Sequence, residues 1–434
     1  MISDRLQRGL ARVVVVEPRE LLALLWSFAY FFCLLAGYYV LRPVRDEMGL
    51  ASGIRNLPWL FTATFFVMLA VVPVYGALVA RVPRRRFIPL VYHFFVANIA
   101  VFWLLLTQSI ALAQTAQVFF VWISVFNLFT VSVFWSFMSD LYNAEQGKRL
   151  YGFIAAGGSA GALLGPLIAS TLAEPLGRAH LLLIAGLLLE CAVFCAARLE
   201  AAAATLQAAG ATGAPPAAAA RVGGNPFAGL LEVARSPYLA GIALWVALLS
   251  LAGTFLYFQQ ANIVAALTDD PNKRTAIFAR IDLAVSLLTL VVQFAATGRL
   301  IRRFGAGPAA AFLPLVFGVG FAALGATPLL WVVIVFQATQ RAANFAISNP
   351  AREVLFTVVA REEKYKAKNV IDNVVFRGSD ALFGWLFSAL RGAGFELGAI
   401  ALATVPVAAA WLGLSLALGR AHERRARETA PPTV

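Results

Sequence analysis

The stretch LLALLWSFAYFFCLLAGYYVLRPVRDEMG, residues 21–49, begins with a long apolar run and ends in a cluster of charges. Arg42, Arg45, Asp46 and Glu47 crowd around Pro43 within six positions. A run of roughly 20 apolar residues can cross the hydrocarbon of a bilayer as a helix. Charges directly behind such a run either anchor it among lipid headgroups or face a partner of opposite charge. The stretch therefore predicts a membrane span with a charged end that needs an explanation.

The composition of the whole chain agrees with a membrane protein. Apolar residues make up 61% of its 434 residues and charged residues only 13%, and the mean hydropathy is +0.79. Soluble domains are closer to half apolar and a quarter charged. Because lipid cannot satisfy an open backbone, continuous apolar runs predict helices rather than strands.

Twelve apolar runs recur along the chain, and each predicts one transmembrane helix. They lie at 21–41, 57–80, 87–106, 113–138, 153–172, 181–197, 238–267, 277–296, 308–324, 329–347, 370–390 and 397–418. We number the predicted spans one to twelve in this order. The expected fold class is an all-α membrane protein.

The positive charges are distributed unevenly between the two sides of this topology. Of the 35 lysines and arginines, 25 lie in the two tails and in alternate loops, 7 lie in the other loops and 3 lie within spans. The positive-inside rule therefore predicts that both termini are cytoplasmic. This asymmetry also accounts for most of the net charge of +13, and without a soluble basic domain we expect no nucleic-acid partner.

The chain reads as two parallel halves. An Ala/Gly/Pro-rich segment at 199–226 predicts a flexible cytoplasmic linker between a six-span bundle at 1–198 and a second at 227–420, followed by a basic tail at 421–434. Similar short motifs recur at matching positions in both halves. Gly76 and Gly298 begin basic loops after spans two and eight, and Lys148 and Lys366 precede spans five and eleven. Two pseudo-symmetric six-helix bundles of about 220 residues resemble the major facilitator fold, which implies a substrate site near the bilayer midplane.

Glycines in span five lie four residues apart. Gly157, Gly161 and Gly165 are followed by Pro166. Such spacing lets two helix backbones approach closely, and it also resembles the fifth-helix signature of major facilitator antiporters. The pattern leaves both explanations open.

Polar residues within the spans mark a candidate pathway, because charges at membrane depth usually face water or a partner. Span ten carries Gln337, Gln340, Arg341 and Asn344 on one helical face, and Gln259 lies in span seven. Arg341 has no acid within one turn, so an anionic substrate or an acid of another helix must compensate it. In span eleven Arg377 either pairs with Asp380 at i,i+3 or contacts substrate.

Two carboxylates in the spans are candidates for proton coupling. Glu190 is isolated in span six, and Asp282 lies in span eight beside Arg280. A structural hydrogen bond to a neighbouring helix explains Glu190 equally well. Cys33, Cys191 and Cys195 all fall inside predicted spans, so we expect neither a disulfide framework nor a metal site. No pattern of a nucleophile with a base, a phosphate loop or a cofactor site is visible, which argues against an enzyme.

Several motifs resemble those of the ATP/ADP translocases of plastids and intracellular bacteria. In LRPVRDEMG, Leu41, Arg42, Arg45 and Asp46 occupy positions of the family's first-helix motif, with Arg45 in place of a lysine. The stretch FWSFMSDLYNAEQGKRLYGF after span four is similar to a second motif and places Asp140 on the family's glutamate. SNPAREVLF and KAKNVIDNV are similar to two further motifs around spans ten and eleven.

The resemblance implies exchange of nucleotides by alternating access in the inner membrane of a bacterium, by a monomer whose partners are the lipid bilayer and a small anionic substrate such as ATP or ADP. Arg42, Arg45 and Asp140 join Gln259, Gln337, Gln340, Arg341, Asn344 and Arg377 as candidate substrate-binding residues. Asp46 lies four residues beyond Arg42 and can pair with it, which would leave Arg45 to meet the anion. Helix ends on the cytoplasmic side supply candidate gating residues, namely Glu145, Lys148, Arg149, Arg352, Glu353, Lys366, Lys368 and Asp372.

Departures from these motifs keep other functions open. The carboxylate usual in the family's seventh helix is replaced by Tyr257 or a neighbour, which suggests a divergent relative with another organic anion as substrate. One alternative is a proton-coupled carrier of a non-nucleotide amphipathic solute, with Glu190 and Asp282 titrating. Another is a membrane sensor or scaffold that transports nothing.

Overall fold

A computed structural model describes residues 16–81, 84–208, 228–295 and 306–429. Within these ranges the chain is almost entirely helical and contains no strand. The first half comprises α1 (Leu21–Ala51), α2 (Leu57–Arg81), α3 (Arg84–Thr107), α4 (Leu112–Leu141), α5 (Ala144–Leu176) and α6 (Arg178–Ala208). The second half comprises α7 (Ala228–Arg235), α8 (Pro237–Leu267), α9 (Pro271–Ala295), α10 (Ala306–Ala326), α11 (Leu330–Ala343), α12 (Asn349–Leu355), α13 (Arg361–Asn369), α14 (Phe376–Gly392) and α15 (Leu397–Thr429).

Ten of the described helices are long and apolar enough to cross a membrane, judged by length and composition. They coincide with predicted spans one to nine and span twelve, which confirms an all-α membrane protein. Spans ten and eleven are also helical, but each changes type midway. A π-helix at Asn344–Ser348 joins α11 to α12, and a second at Val370–Val375 joins α13 to α14. These interruptions divide spans ten and eleven into shorter helical segments, so ten spans are continuous helices within the described ranges, which is consistent with the expected twelve.

The first π-helix has a cause in the sequence. Pro350 lies two residues after the end of this π-helix at Ser348. It has no N–H to donate to the carbonyl four residues earlier, within the π-helix, and its ring crowds that carbonyl. Widening of the preceding turn relieves this conflict. No proline explains the second π-helix, and we have no sequence-based account of it.

Helix packing repeats between the two halves. In the first half α1 packs against α4, α5 and α6, and α3 packs against α6. In the second half α8 packs against α11, α14 and α15, and α10 packs against α15. Each of these four contacts in the first half thus has its counterpart six spans later, in agreement with the sequence motifs that recur in the two halves.

The described residues fall into two compact units that exchange short segments. Residues within 1–52, 70–221 and 270–283 form unit 1, and those within 53–69, 222–269 and 284–434 form unit 2. Unit 1 therefore contains the start of α9, and unit 2 contains the start of α2. The start of α2 is held within unit 2 by aromatic contacts, since the rings of Trp59 and Trp385 lie 4.8 Å apart and those of Phe61 and Phe258 lie 5.6 Å apart.

The glycines of α5 bring its backbone against α1. A Cβ on Gly165 would lie 2.6 Å from the carbonyl oxygen of Ala36 and 2.7 Å from the Cβ of Tyr39. Gly157 and Gly161 meet the backbone of α1 in the same way, near Phe28 and Phe32. The stripe is therefore a close helix–helix contact. It fixes α1 one turn before Arg42.

The predicted linker and tail are more helical than expected. The α6 helix continues through Ala208, so the start of the segment 199–226 is not a loose tether. Residues 209–227 lie outside the described ranges. Similarly, α15 continues through Thr429, so most of the predicted tail at 421–434 extends the last span as a helix.

Candidate functional site

The charged end of α1 remains helical through Pro43, and its charges form ion pairs within unit 1. Nη1 of Arg42 lies 3.4 Å from Oδ1 of Asp282, and Nη1 of Arg45 lies 3.2 Å from Oδ1 of Asp46. Glu47 pairs with Arg178. The structure thus corrects the expected pairing of Asp46 with Arg42, because Asp46 pairs with its neighbour Arg45 and the partner of Arg42 comes from α9.

In these pairs the arginine is more exposed than its carboxylate. The side chains of Arg42 and Arg45 are 16% and 20% exposed, whereas those of Asp282 and Asp46 are 4% and 5% exposed. The arginine side chains are therefore the more accessible members of these pairs. This arrangement suits an anion, since guanidinium groups bind carboxylates and phosphates with paired hydrogen bonds.

Aromatic rings hold both guanidinium groups. The Arg45 guanidinium carbon lies 4.1 Å from the centre of the Phe120 ring on α4, and that of Arg42 lies 5.7 Å from the Tyr39 ring. Such cation–π contacts attract the charge while leaving the edges of the guanidinium open to hydrogen bonds. Tyr39 is in turn placed by Gly165.

The start of α9 is fastened to unit 1 by polar contacts. Besides the pair of Asp282 with Arg42, the amide N–H of Arg178 donates to Oδ1 of Asn272 at 2.9 Å. Nη2 of Arg280 lies 3.2 Å from Oε1 of Glu174 at the end of α5. Sequence spacing could not have revealed these contacts, because their partners are distant in the chain.

In unit 2 the candidate amides of spans seven and ten bond to one another. Nε2 of Gln337 donates to Oε1 of Gln260 at 2.7 Å, and Nε2 of Gln340 donates to Oε1 of Gln337 at 2.9 Å. Gln259 donates to the carbonyl oxygen of Leu397 at 2.7 Å. All four amide side chains are buried. The chain of amides formed by Gln260, Gln337 and Gln340 joins α8 to α11.

Arg341 and Asn344 lie beyond this chain of amides, on the same helix. Arg341 is partly exposed in the last turn of α11, and Asn344 begins the first π-helix. The π-helix also contains Ser348, which is fully buried and whose hydroxyl has no hydrogen-bond partner among the described residues. The predicted polar face of span ten thus continues into the widened turn.

Arg377 lies near Asp380, in agreement with the expected i,i+3 pair. Nη1 of Arg377 is 3.7 Å from Oδ2 of Asp380, whose Oδ1 also accepts hydrogen bonds from Ser250 at 2.6 Å and Thr254 at 3.3 Å. Asp380 is therefore well satisfied. The Arg377 side chain is 39% exposed and still presents charge outward.

The predicted gating residues of the second half form two ion pairs. Nη1 of Arg352 lies 3.0 Å from Oδ1 of Asp372, and Nζ of Lys368 lies 2.6 Å from Oε1 of Glu353. Both pairs join α12 to the segment that runs from α13 into the second π-helix. Lys366 also lies on α13, and its carbonyl oxygen contacts Gly229 of α7.

In the first half, the gating candidates lie at the start of α5, and Asp140 lies at the exposed end of α4. Glu145 and Lys148 are exposed, while Arg149 reaches Glu20, with 3.1 Å between Nη2 and Oε1. Glu20 is buried just before α1 and also accepts a hydrogen bond from Gln146. Burial by itself raises the pKa of Glu20, but the hydrogen bonds from Gln146 and the Glu17 amide and the charge of Arg149 outweigh it, so the pKa lies below its usual value.

Glu20 was missed by the sequence analysis, although a signal for it existed. Asn143 and Gln146 form a capping box at the start of α5, a pattern that can be read from their spacing. The partner that the Gln146 side chain then meets lies more than a hundred residues away and has no sequence signature.

The two proton-coupling candidates have different surroundings. Asp282 pairs with Arg42. Glu190 is not isolated, because its Oε2 lies 3.4 Å from Nε2 of His93 on α3, and both side chains are about half exposed on the outside of the helices. Among the residues described, no group of three or more His, Cys, Asp or Glu could hold a metal ion, and Cys33, Cys191 and Cys195 are free thiols.

Comparison with known proteins identifies the fold. No family model matches the chain. The chain is 24% identical over 431 aligned positions to ADP,ATP carrier protein 1 of Chlamydia trachomatis, covering 83% of this chain and 80% of the carrier. It shares the fold of a POT family transporter (TM-score 0.62, 11% identity, 92% and 96% of the two chains) and of the nucleoside transporter NupG (TM-score 0.59, 14% identity, 93% and 99%). A bacterial homologue of the lysosomal transporter Spinster gives a TM-score of 0.58 at 15% identity, over 96% and 100% of the chains.

The chain has the fold of the major facilitator transporters. Its sequence is similar, at 24% identity, to an ADP,ATP carrier, in agreement with the resemblance of the motifs. All four of these proteins are named as carriers or transporters, in agreement with the expectation of a secondary transporter.

Proposed function

We propose that this transporter exchanges nucleotides such as ATP and ADP, or a similar multiply charged organic anion, across the bacterial inner membrane by alternating access. One observation carries the proposal: Arg42 and Arg45 are partly exposed, at 16% and 20%, while their carboxylate partners Asp282 and Asp46 are buried. The relative from Chlamydia trachomatis carries the name of an ADP,ATP carrier, which supports the same substrate class.

Arg42 and Arg45 have the chemistry to hold phosphates. They lie three residues apart on one helix, so their guanidinium groups share a face of α1. A di- or triphosphate offers several charged oxygens at spacings that two neighbouring guanidinium groups can bind together. Asp140, the amides Gln259, Gln337 and Gln340, and the polar residues Arg341, Asn344 and Arg377 remain proposed contacts for the rest of the substrate.

The direct test is exchange in proteoliposomes loaded with unlabelled ADP, measured as uptake of labelled ATP. Arg45→Gln should weaken ATP binding by roughly 1.5–3 kcal/mol, the usual scale of charge-assisted hydrogen bonds, and should lower uptake accordingly. Arg45→Lys should keep part of both, because the related translocases have lysine at this position.

A matched control is Arg55→Gln, which removes an exposed arginine from the short segment after α1. It should leave uptake unchanged. Normal uptake by Arg45→Gln at normal expression would assign the charged stretch to the membrane surface instead.

In this proposal the protein acts as a monomer with both termini in the cytoplasm. The contacts at the cytoplasmic ends of the helices, among them Arg352 with Asp372 and Glu353 with Lys368, are made in one state of the transport cycle and lost in the other. Glu145, Lys148, Arg149 and Lys366 belong to the same set of gating residues.

A proton-coupled carrier of another solute is the second candidate, favoured by the pair of His93 with Glu190. Histidine and carboxylate side chains are common proton donors and acceptors in proteins. This candidate predicts that a pH gradient alone drives uptake and that Glu190→Gln abolishes the effect. The exchanger predicts uptake that needs internal anion and no pH gradient.

A further inference from the structure

The start of α9 is tied to unit 1 by side chains that an anion can compete with. Asp282 contacts Arg42, Arg280 contacts Glu174, and Asn272 accepts a hydrogen bond from the amide of Arg178. Of these, the contact of Asp282 is the buried ion pair, whereas the Arg280 and Glu174 side chains are 60% and 44% exposed. Exposed pairs contribute little, so of these three contacts the Asp282 carboxylate makes the strongest charged one.

The corresponding exchanged segment in unit 2 has a different chemistry. The start of α2 is held by the rings of Trp59 and Phe61 and by a hydrogen bond of 3.0 Å from Nε1 of Trp385 to Thr62. A dissolved anion does not compete with these aromatic contacts. Sensitivity to an anion is therefore a property of the α9 segment.

The Asp282 carboxylate occupies a position on Arg42 that a substrate anion would need. A guanidinium group binds a carboxylate and a phosphate through the same N–H groups. Arg42 is the more accessible member of the pair, because its side chain is 16% exposed and that of Asp282 only 4%. An incoming anion thus meets the cation of a pair that is already compensated.

We propose that Asp282 is an internal substitute for the substrate anion, and that an anionic group binding to Arg42 displaces it and releases the start of α9 from unit 1. The inference rests on the proposed function and adds a coupling step to it. Arg42 stays compensated throughout, first by Asp282 and then by the substrate, while the freed Asp282 carboxylate leaves with α9 toward water. Asp282 is accordingly a positioning residue and not a substrate contact.

The step also explains why release would depend on substrate. Without an anion at Arg42, separation of the pair would leave two buried charges without compensation, which is strongly unfavourable. With an anion bound, only the carboxylate must be hydrated. An empty transporter therefore keeps the α9 segment in place, as strict exchange requires.

The test measures the accessibility of the α9 segment in the purified full-length protein. Thr275, fully buried in the second turn of α9, is changed to cysteine in a background without Cys33, Cys191 and Cys195, and its reaction with a maleimide is timed. In the parent the reaction should be slow without ligand and at least about tenfold faster with ATP. Asp282→Asn should react fast without ATP and bind ATP several-fold more tightly, because its competitor is gone.

Asp269→Asn is the matched control, since Asp269 is an exposed acid just before α9. It should react like the parent. The reversed pair Arg42→Asp with Asp282→Arg covers the case that Asp282→Asn does not fold. This variant should react slowly, as the tie is restored, and should not accelerate with ATP, as the arginine now lies on α9.

Each outcome decides the proposal. Slow labelling of folded Asp282→Asn without ligand, or full acceleration by ATP in the reversed pair, would overturn it. If ATP and pyrophosphate bind the parent without accelerating its labelling, displacement of Asp282 is refuted and nucleotide binding stands. If neither anion binds the parent but Asp282→Asn still labels fast, the proposed substrate class fails and the tie itself is supported.

Discussion

Oε1 of Glu20 accepts a hydrogen bond of 2.8 Å from Nε2 of Gln146, which joins the start of α1 to the first turn of α5. Arg149, one turn further along α5, approaches the same carboxylate. The Glu20 carboxylate is buried and accepts four hydrogen bonds. The donors are Nε2 of Gln146, Nη1 and Nη2 of Arg149, and the backbone amide of Glu17. The contact fixes one end of the helix pair whose other end carries Arg42.

We expect Glu20→Gln to destabilise the protein by about 1–3 kcal/mol at neutral pH, because it removes the charge that Arg149 and Gln146 were positioned to meet. Thermal unfolding in detergent measures the effect. Glu17→Gln is the control, because the Glu17 side chain is 46% exposed and its replacement leaves the Glu17 amide intact. Equal melting temperatures for both variants would contradict a structural role of Glu20.

The same carboxylate gives a pH dependence with a defined sign. The pKa of Glu20 is lowered in the folded protein, so its contribution to stability is complete above the ordinary carboxyl pKa and is lost as the pH falls through the lowered value. Unfolding midpoints measured from neutral to acidic pH should therefore fall less steeply for Glu20→Gln than for the parent. Parallel curves would show that another group carries the acid sensitivity.

The glycine stripe offers a test with a control in the same helix. Gly165→Ala places a Cβ 2.6 Å from the Ala36 carbonyl oxygen, so α5 must move away from α1 at a cost of about 1–3 kcal/mol. Gly152→Ala adds a Cβ that, apart from its own helix backbone and chain neighbours, has no described atom within 4 Å, and it should be neutral or slightly stabilising. Melting temperatures and ATP affinity should both fall for Gly165→Ala, because Tyr39 and Arg42 shift with α1. An unchanged affinity would separate the packing contact from the charged site.

The spans and the glycine contact could be predicted because their signals are local. A long apolar run determines a membrane helix, and four-residue glycine spacing determines a close face. The pair of Arg377 with Asp380 was visible for the same reason, since its members are three residues apart. Pro350 is a local sequence signal for an irregular turn at the end of span ten. No proline or other local signal marks the second π-helix.

The pairs of the charged site could not be predicted, because their partners are far apart in the chain. Arg42 had a nearer candidate in Asp46, and helical spacing favoured it. The structure instead brings Asp282 to Arg42 through the packing of α9 on unit 1. Likewise, Glu190 has no nearby charged partner in the sequence, whereas in the structure His93 of α3 lies beside it. Sequence spacing identifies which residues are charged within the membrane and not which of them meet.

Topology is the fourth prediction. The distribution of 25 basic residues against 7 predicts cytoplasmic termini, so reporter fusions at residue 434 and within 209–226 should be active only as cytoplasmic reporters. A fusion in the turn between α3 and α4, near Gln108, should report the opposite side and serves as the control. A linker on the outside would refute both the topology and the parallel repeat.

The last prediction concerns the gating residues at the cytoplasmic helix ends. Lys368 with Glu353 is a partly exposed pair, so Glu353→Gln should change the melting temperature little. In the proposed gate these charges stabilise the outward-facing state. Asp140→Asn together with Glu353→Gln should then shift the protein toward the inward-facing state, because the variant loses contacts that only the outward-facing state makes. Accessibility labelling of single cysteines at the two sides of the membrane measures the shift. Glu363→Gln on α13 is a matched control at an exposed position. Identical labelling of the double variant and this control would show that the charges do not act as a gate.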